Sequence, residues 1–341
     1  MKAAILEKIN SPLVIKEVGL TSLRVGQVLV KVLMSGLCGS QIHEITGDKG
    51  NEKFLPHMMG HEGCGIVQEI GSGVTNVRVG EKVVMHWRAG KGIESDFPRY
   101  ILDGKEITSG KVTTLTEYSI CSENRLTTVP ISTEESLCCL LGCSLTTAFG
   151  VIDNDANLKF GERVMILGAG GVGLNLIQAA KLKGASIIWV IDKDENKKKL
   201  VFKLGGIFES KLREPNELKN MMPFDVIIDT TSSNFLIERS LSILASKGRY
   251  ILIGQSNKDF NISVNVMSLF EGEGKTIKTS QGGQTNPTID IPKYIQLFNS
   301  RAFKINDIIT NTFTLNEINS AFDLLRSGKA GRIMIKIDKN E

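Results

Sequence analysis

Two hydrophobic rhythms divide the chain. Up to about residue 145, short apolar runs rich in β-branched residues, such as Val28-Leu29-Val30-Lys31-Val32-Leu33, are broken by Gly, Asn and Asp. This is the pattern of strands joined by turns. Gly65-Ile66-Val67-Gln68-Glu69-Ile70, followed by Gly71-Ser72-Gly73, predicts a strand and turn, and Gly80-Glu81-Lys82-Val83-Val84-Met85 a second. From about Leu145, apolar runs of four to six residues alternate with longer helical stretches, as βαβ units on a parallel sheet require. Its buried strands are expected at Arg163–Leu167, Ile187–Ile191, Val226–Asp229 and Tyr250–Ile253. After about Gln281 the alternation stops, and Arg332-Ile333-Met334-Ile335-Lys336-Ile337 has the period of two of a closing strand. The predicted fold is α/β: a discontinuous β-rich domain over 1–145 and 282–341, with a doubly wound parallel-sheet domain over 146–281 inserted into it. A length of 341 residues agrees with two cores.

Composition narrows the partners. With 41% hydrophobic and 23% charged residues the chain reads as an ordinary globular protein. The formal charge of +4 is not gathered into a patch, and Lys197-Lys198-Lys199 lies in an amphipathic stretch that reads as a solvated helix face. No nucleic-acid partner is expected. The opening MKAAILEKIN carries charges where a secretory signal is apolar, and no apolar run reaches the roughly 18 residues of a membrane span. Six cysteines are too few for a disulfide scaffold of this size and suit a reducing compartment. The expectation is a cytoplasmic protein without membrane association.

Gly168-Ala169-Gly170-Gly171-Val172-Gly173 directly follows the predicted strand and opens a helix with apolar residues at Leu174, Leu176, Ile177 and Ala180. In that context GxGxxG is a dinucleotide-binding turn. The first glycine permits the tight turn, the second lets backbone approach a pyrophosphate, and the third lets helix and strand pack closely. The helix N-terminus then faces the phosphates. Asp192, at the end of the next strand, has the position of a carboxylate that binds the ribose hydroxyls and repels a 2′-phosphate. NAD is therefore the expected cofactor, although Lys193 weakens the exclusion of NADP.

A second constellation is spread more widely. Cys38 lies in Gly36-Leu37-Cys38-Gly39-Ser40, His61 and Glu62 precede the strand expected from Gly65, and Cys143 follows Gly142. Two thiolates and an imidazole, with a fourth position for Glu62, water or substrate, make an open catalytic zinc site. Spacing alone does not show that these residues converge, and buried core positions are the competing reading.

Gly60-His61-Glu62-Gly63-Cys64-Gly65 with Gly71, Gly73, Val74 and Gly80-Glu81-Lys82-Val83, the Cys38-Gly39-Ser40 to His43 segment, the Gly142-Cys143 to Thr147 segment and the GxGxxG unit together resemble the zinc-containing medium-chain dehydrogenase/reductase (alcohol dehydrogenase-like) family. The resemblance implies a GroES-like catalytic domain beside a Rossmann domain, with substrate and nicotinamide meeting between them. It also implies one catalytic zinc on Cys38, His61 and Cys143, with Glu62 as a close or transient ligand. Ser40 matches the hydroxyl that takes the substrate proton, and His43 the outer end of the relay that passes it to solvent. Thr147 matches a residue against the nicotinamide, Lys197 one that reaches the adenosine ribose, and Arg332 one that neutralises the pyrophosphate. Trp87 matches an aromatic wall of the substrate pocket, with a core tryptophan as the alternative. Homodimers or homotetramers, joined through the edge of the nucleotide-domain sheet, are implied, and the strand near Ile251 is the candidate edge.

The sequence also departs from the family. Many relatives hold a structural zinc on four cysteines in a lobe after the His61-Glu62 strand, but there is no cysteine between Val84 and Tyr118 here. One metal per chain is expected, with other packing ordering residues 86–117. Gly39 stands where a basic residue often meets the cofactor phosphates, and Gln41 where polyol-type relatives carry Asp. The expected substrate is thus a simple alcohol, a polyol or a sugar-type hydroxyl on equal terms. His57 and His86 are expected to be ordinary hydrogen-bonded histidines, and Cys64, Cys121, Cys138 and Cys139 small core residues. Two further readings stand beside this one: a zinc-free NAD(P)H reductase of enones or quinones, and a non-catalytic dinucleotide-binding protein.

Overall fold

Gln27–Gly36 runs through the first unit as a strand with one fully buried face: Val28, Val30 and Val32 are buried while Lys31 and Leu33 on the other face are half-exposed. The computed structural model describes residues 1–50, 52–218, 220–256, 259–270 and 273–337. The chain forms two compact units, Met1–Thr146 with Asn286–Glu341, and Thr147–Thr285.

In the first unit, Gln27–Gly36 pairs antiparallel with Glu62–Ile70, Tyr118–Ser122 and Arg332–Lys336. Lys82–His86 and Leu126–Val129 extend the sheet on one side, and Ile309–Thr314 on the other. A second sheet contains Lys2–Leu6, His57–Met58 and the hairpin Arg99–Leu102 with Lys105–Ser109. The main core gathers Val30, Val67, Val83, Leu115, Ile333 and Ile335, with Phe322 from the helix Ile318–Ser327 closing it.

The second unit is a parallel sheet with the order Ile207–Glu209, Ile187–Ile191, Arg163–Leu167, Phe224–Asp229, Leu244–Leu252, Thr276–Thr279. By chain position this order is 3-2-1-4-5-6, the doubly wound nucleotide-binding arrangement. The order reverses between Arg163–Leu167 and Phe224–Asp229, and ligands of such sheets bind beyond the strand ends at that point. One expectation is corrected here. The strand containing Ile251 is not an edge, because Thr276–Thr279 pairs along its outer side, Ile251 opposite Lys278. Thr276-Ile277-Lys278-Thr279 has a single apolar residue and so left no strand signal in the sequence.

Carboxylates order the segment after Lys82–His86. Glu123, 1% exposed, accepts the backbone N–H groups of Thr75 (2.9 Å), Asn76 (3.0 Å) and Ile93 (2.9 Å). Glu94 accepts from Arg125 Nη2 on both oxygens (2.8 Å each) and from Asn124 (2.7 Å), and pairs with Lys111 at 2.9 Å. These contacts tie residues 75–76 and 93–94 to 111 and 123–125.

Burial raises the Glu94 pKa, but Arg125, Asn124 and Lys111 overcome this and bring it to about 2. Its folded pKa lies below the unfolded value near 4.3, so its contribution is present above that value and is lost as the pH falls toward 2. The side chain is 39% exposed, so solvent screening discounts the effect to about 1 kcal/mol. Urea unfolding should therefore show Glu94→Gln less stable than the parent at pH 7, with the gap narrowing below pH 4. A gap independent of pH would remove the electrostatic account.

Among the described residues no single helix is long and apolar enough to cross a membrane; the bent pair Glu135–Gly142 and Ser144–Asp155 passes on length and composition, and residues 137–152 of it are buried.

Candidate metal and cofactor sites

Three distant segments of the first unit converge. Gln27–Gly36 delivers Cys38, which caps the helix Gly39–Ile45. Glu62–Ile70 pairs with it, Ser35 opposite Gly63, and so brings His61 alongside. The strand begins at Glu62 rather than at the expected Gly65. Gly60 has φ 103°, and a Cβ there would lie 2.4 Å from Thr114 Oγ1, so only glycine allows the turn into His61. The helix Glu135–Gly142 ends against the same strand: a Cβ on Gly142 would meet Met85 O at 2.5 Å and Glu62 Cα at 3.0 Å. That contact sets Cys143 beside His61.

The ligand atoms of Cys38, His61 and Cys143 lie within 4.8 Å of one another. Cys143 is buried, and Cys38 and His61 are half-buried. Tetrahedral bonds of about 2.3 Å to sulfur and 2.0 Å to nitrogen separate ligand atoms by roughly 3.5–3.8 Å, so this donor set fits a zinc ion. The electrostatics favour a thiolate. A hydrogen bond from Cys143, then one from His61, holds Cys38 well below the usual thiol range, while the same Cys38 contact and burial push Cys143 up. Burial depresses His61, but its contacts with Cys38 and the nearby Glu62 raise it overall.

Glu62 and Arg332 are both buried, and Arg332 Nη2 donates to Glu62 Oε1. Glu62 Oε2 and Arg332 Nε have no partner among the described residues. Arg332, expected at the cofactor pyrophosphate, is thus placed with Nη2 on the carboxylate behind the cluster. Gly36 makes room for this pair, since a Cβ there would lie 2.9 Å from Glu62 Cδ and 3.1 Å from Arg332 Nη2.

Ser40 donates to Cys38 Sγ at 3.4 Å, and His43 follows one turn later in the same helix. Trp87 is half-buried, with the Arg88 guanidinium 5.5 Å over its ring. His86 is a structural histidine, its ring nitrogens 2.7 Å from Arg88 O and 2.9 Å from Thr127 Oγ1, and burial lowers its pKa to about 4. His57 departs from its expectation: Nδ1 is buried without a partner among the described residues. Cys64, Cys121, Cys138 and Cys139 are buried, as small core residues should be.

Gln41 was noted only as a departure. It is buried, and its Oε1 accepts the Cys38 N–H at 2.8 Å. A Gln three residues after the cap residue was a readable signal for this.

In the second unit Gly168 has φ 96°, and a Cβ on Gly173 would lie 1.9 Å from Gly168 O. A Cβ on Gly170 would meet nothing within 4 Å, which leaves open space above the loop for phosphates. Gly171 and Val172 form the first turn of the helix Gly171–Leu182. The Asp192 carboxylate accepts from Ala169 N (2.7 Å), Asp194 N (2.9 Å) and Lys197 Nζ (3.1 Å). None of these three contacts was legible in the sequence. Asp192 and Lys197 thereby stand together at the glycine loop. Thr147 is buried in the helix Ser144–Gly150.

Residues 24–131 match the alcohol dehydrogenase GroES-like domain, and residues 171–300 match the zinc-binding dehydrogenase domain. The chain belongs to the zinc-containing medium-chain alcohol dehydrogenase family. It is 28% identical to alcohol dehydrogenase 6 of Peromyscus maniculatus, over 98% of this chain and 97% of that one. It is 27% identical to an S-(hydroxymethyl)glutathione dehydrogenase of Photobacterium damsela subsp. piscicida, over 98% and 99%. Its fold is shared with benzyl alcohol dehydrogenase of Acinetobacter calcoaceticus, at TM-score 0.89, 24% identity and 99% coverage of both chains. A zinc-binding domain alcohol dehydrogenase protein of Burkholderia ambifaria gives TM-score 0.91, at 21% identity and 99% coverage of both. This dehydrogenase is therefore an oxidoreductase acting on alcohols, built from a GroES-like and a Rossmann part.

Proposed function

We propose that the enzyme transfers a hydride between NAD(H) and a small alcohol, polyol or sugar-type hydroxyl or its carbonyl, with one zinc ion held by Cys38, His61 and Cys143. The observation that carries this reading is the approach of those three ligand atoms within 4.8 Å, with Ser40 in contact with one of them. Bound zinc supplies Lewis-acid polarisation of a hydroxyl or carbonyl oxygen. Ser40 takes the substrate proton, and His43 hands it to solvent. Glu62, held by Arg332, keeps one oxygen free beside the cluster as a close or transient ligand. The glycine loop and the helix behind it hold the pyrophosphate, Asp192 and Lys197 the adenosine ribose, and Thr147 the nicotinamide. The proposal includes a cytoplasmic homodimer or homotetramer.

The test is zinc content by elemental analysis together with turnover of ethanol, benzyl alcohol, 2,3-butanediol and sorbitol. Each substrate is offered with NAD and with NADP, before and after chelation. One zinc per chain and NAD-linked turnover lost on chelation are expected; turnover that survives complete removal of zinc overturns the reading.

Cofactor choice gives a sharper expectation. Asp192→Ala removes the charge that repels a 2′-phosphate, so the ratio of kcat/KM with NAD to that with NADP should fall about tenfold or more. Because Asp192 also holds Ala169, activity with NAD should fall as well. The ratio is the decisive quantity, and an unchanged ratio removes Asp192 from cofactor selection.

A further inference from the structure

His43 lies in the last turn of the helix Gly39–Ile45, three residues beyond Ser40. The chain then turns back through Gly47, which has φ 81° in the left-handed region. That turn returns Asp48 to the imidazole, with Oδ2 2.9 Å from Nδ1. The Thr46 hydroxyl lies 2.7 Å from the same oxygen and 3.0 Å from the Ile42 carbonyl. The neighbouring ammonium does not compete for this carboxylate, because Lys49 Nζ is bonded to Glu44 Oε1 at 2.8 Å. His43 Nε2 has no partner among the described residues. Both side chains are about one-third exposed, with values of 30% and 34%, so the pair stands where a proton can pass to water.

An ionised carboxylate only accepts hydrogen bonds, so Nδ1 must be the donor in this pair. The proton of neutral imidazole is thereby fixed on Nδ1, and the lone pair on Nε2 is left as the acceptor. We infer that Asp48 is the positioning residue of His43, selecting the tautomer whose Nε2 receives the relay proton. This inference rests on the relay reading of Ser40 and His43 given above. In the oxidation direction the substrate C–H pair leaves as hydride to NAD⁺, and the hydroxyl proton leaves through the relay. The Nε2–H bond forms as that proton arrives and breaks when water takes it. The Nδ1–H bond stays intact, and Asp48 remains a carboxylate throughout. Thr46 adds a second donor that holds the acceptor oxygen in place. As a mere surface ion pair the contact would contribute little to stability, and its effect would not reach the chemical step.

The test uses the zinc-loaded enzyme and its Asp48→Ala, Asp48→Asn and His43→Gln variants. The probe is 2,3-butanediol, or ethanol if that is the alcohol turned over. Ring-nitrogen NMR of the parent should show the Nδ1–H tautomer for His43, and Asp48→Ala should move it toward Nε2–H. The single-turnover rate of NADH formation should fall about 5- to 20-fold in Asp48→Ala, with KM for NAD changed less than twofold. Asp48→Asn keeps an acceptor for Nδ1–H without the charge, so it should retain the tautomer and recover part of the rate. A normal rate in Asp48→Ala beside a slowed His43→Gln overturns this inference and leaves the relay standing. A normal rate in His43→Gln overturns the relay and the role of Asp48 with it.

Discussion

Cys38→Ser and His61→Ala should each fold normally, bind no stoichiometric zinc and lose turnover by at least about 10⁴-fold. The size follows from what each change removes. A serine hydroxyl does not ionise near neutral pH and is a poor replacement for a thiolate ligand, and alanine offers no donor at all. With two ligands left, the affinity generated by a three-residue set collapses. A ten-thousandfold loss corresponds to about 5.5 kcal/mol of transition-state stabilisation, within the reach of a lost Lewis acid. The fold should survive, because Cys38 and His61 are half-buried and the strands that carry them are held by Val30, Val32, Val67 and Val83. Cys121→Ala is the control: Cys121 is buried and stands outside the cluster, so zinc content and turnover should persist. The checks are elemental analysis, circular dichroism and steady-state rates. Full activity in Cys38→Ser would end the proposal.

The parts of this molecule that could be read from its sequence share a physical reason. Arg163–Leu167 and Ile187–Ile191 were anticipated with the same bounds, because interior strands of a parallel sheet are covered on both faces and leave unbroken apolar runs. Leu244–Leu252 was caught only at its apolar end, since Ser246, Lys247, Gly248 and Arg249 interrupt the run. Ile207–Glu209 and Thr276–Thr279 went unread because edge strands are short and mixed. The glycine loop was legible because its requirements are local: a left-handed turn at Gly168 and the absence of a side chain at Gly173. The convergence of Cys38, His61 and Cys143 was not. It depends on a helix end pressed against a strand, and only the family resemblance of the segments around Cys38, His61, Cys143 and the glycine loop suggested it. Arg332 illustrates the limit of such a resemblance, which pointed to a phosphate but said nothing of Glu62. Asp48 and Glu123 had no signal, because a carboxylate that accepts from a neighbour looks in sequence like any surface acid.

Glu123 carries the second large effect. Glu123→Ala should destabilise the protein by about 3–5 kcal/mol, with the loss centred on residues 75–95. The carboxylate is 1% exposed and accepts three backbone N–H groups, from Thr75, Asn76 and Ile93. A buried donor left without its partner costs about 1–3 kcal/mol, and water entering the space made by the truncation recovers part of the total. Gly92 sharpens the dependence. It has φ 118°, and a Cβ there would lie 2.7 Å from Glu123 Cγ, so the loop is shaped around this side chain. Glu123→Gln keeps one acceptor oxygen and turns the other into a donor facing N–H groups, so it should fall between alanine and the parent. Urea midpoints measure the global cost, and limited proteolysis near Asn76 and Lys91, whose carbonyl bonds Asn76 Nδ2 at 2.9 Å, reports the local one. The same cleavage sites should stay protected in parent enzyme treated with chelator, because the Glu123 hydrogen bonds to Thr75, Asn76 and Ile93 need no metal. Cleavage there on chelation, with Glu123→Ala as stable as the parent, would show that the lobe is ordered by something other than these hydrogen bonds.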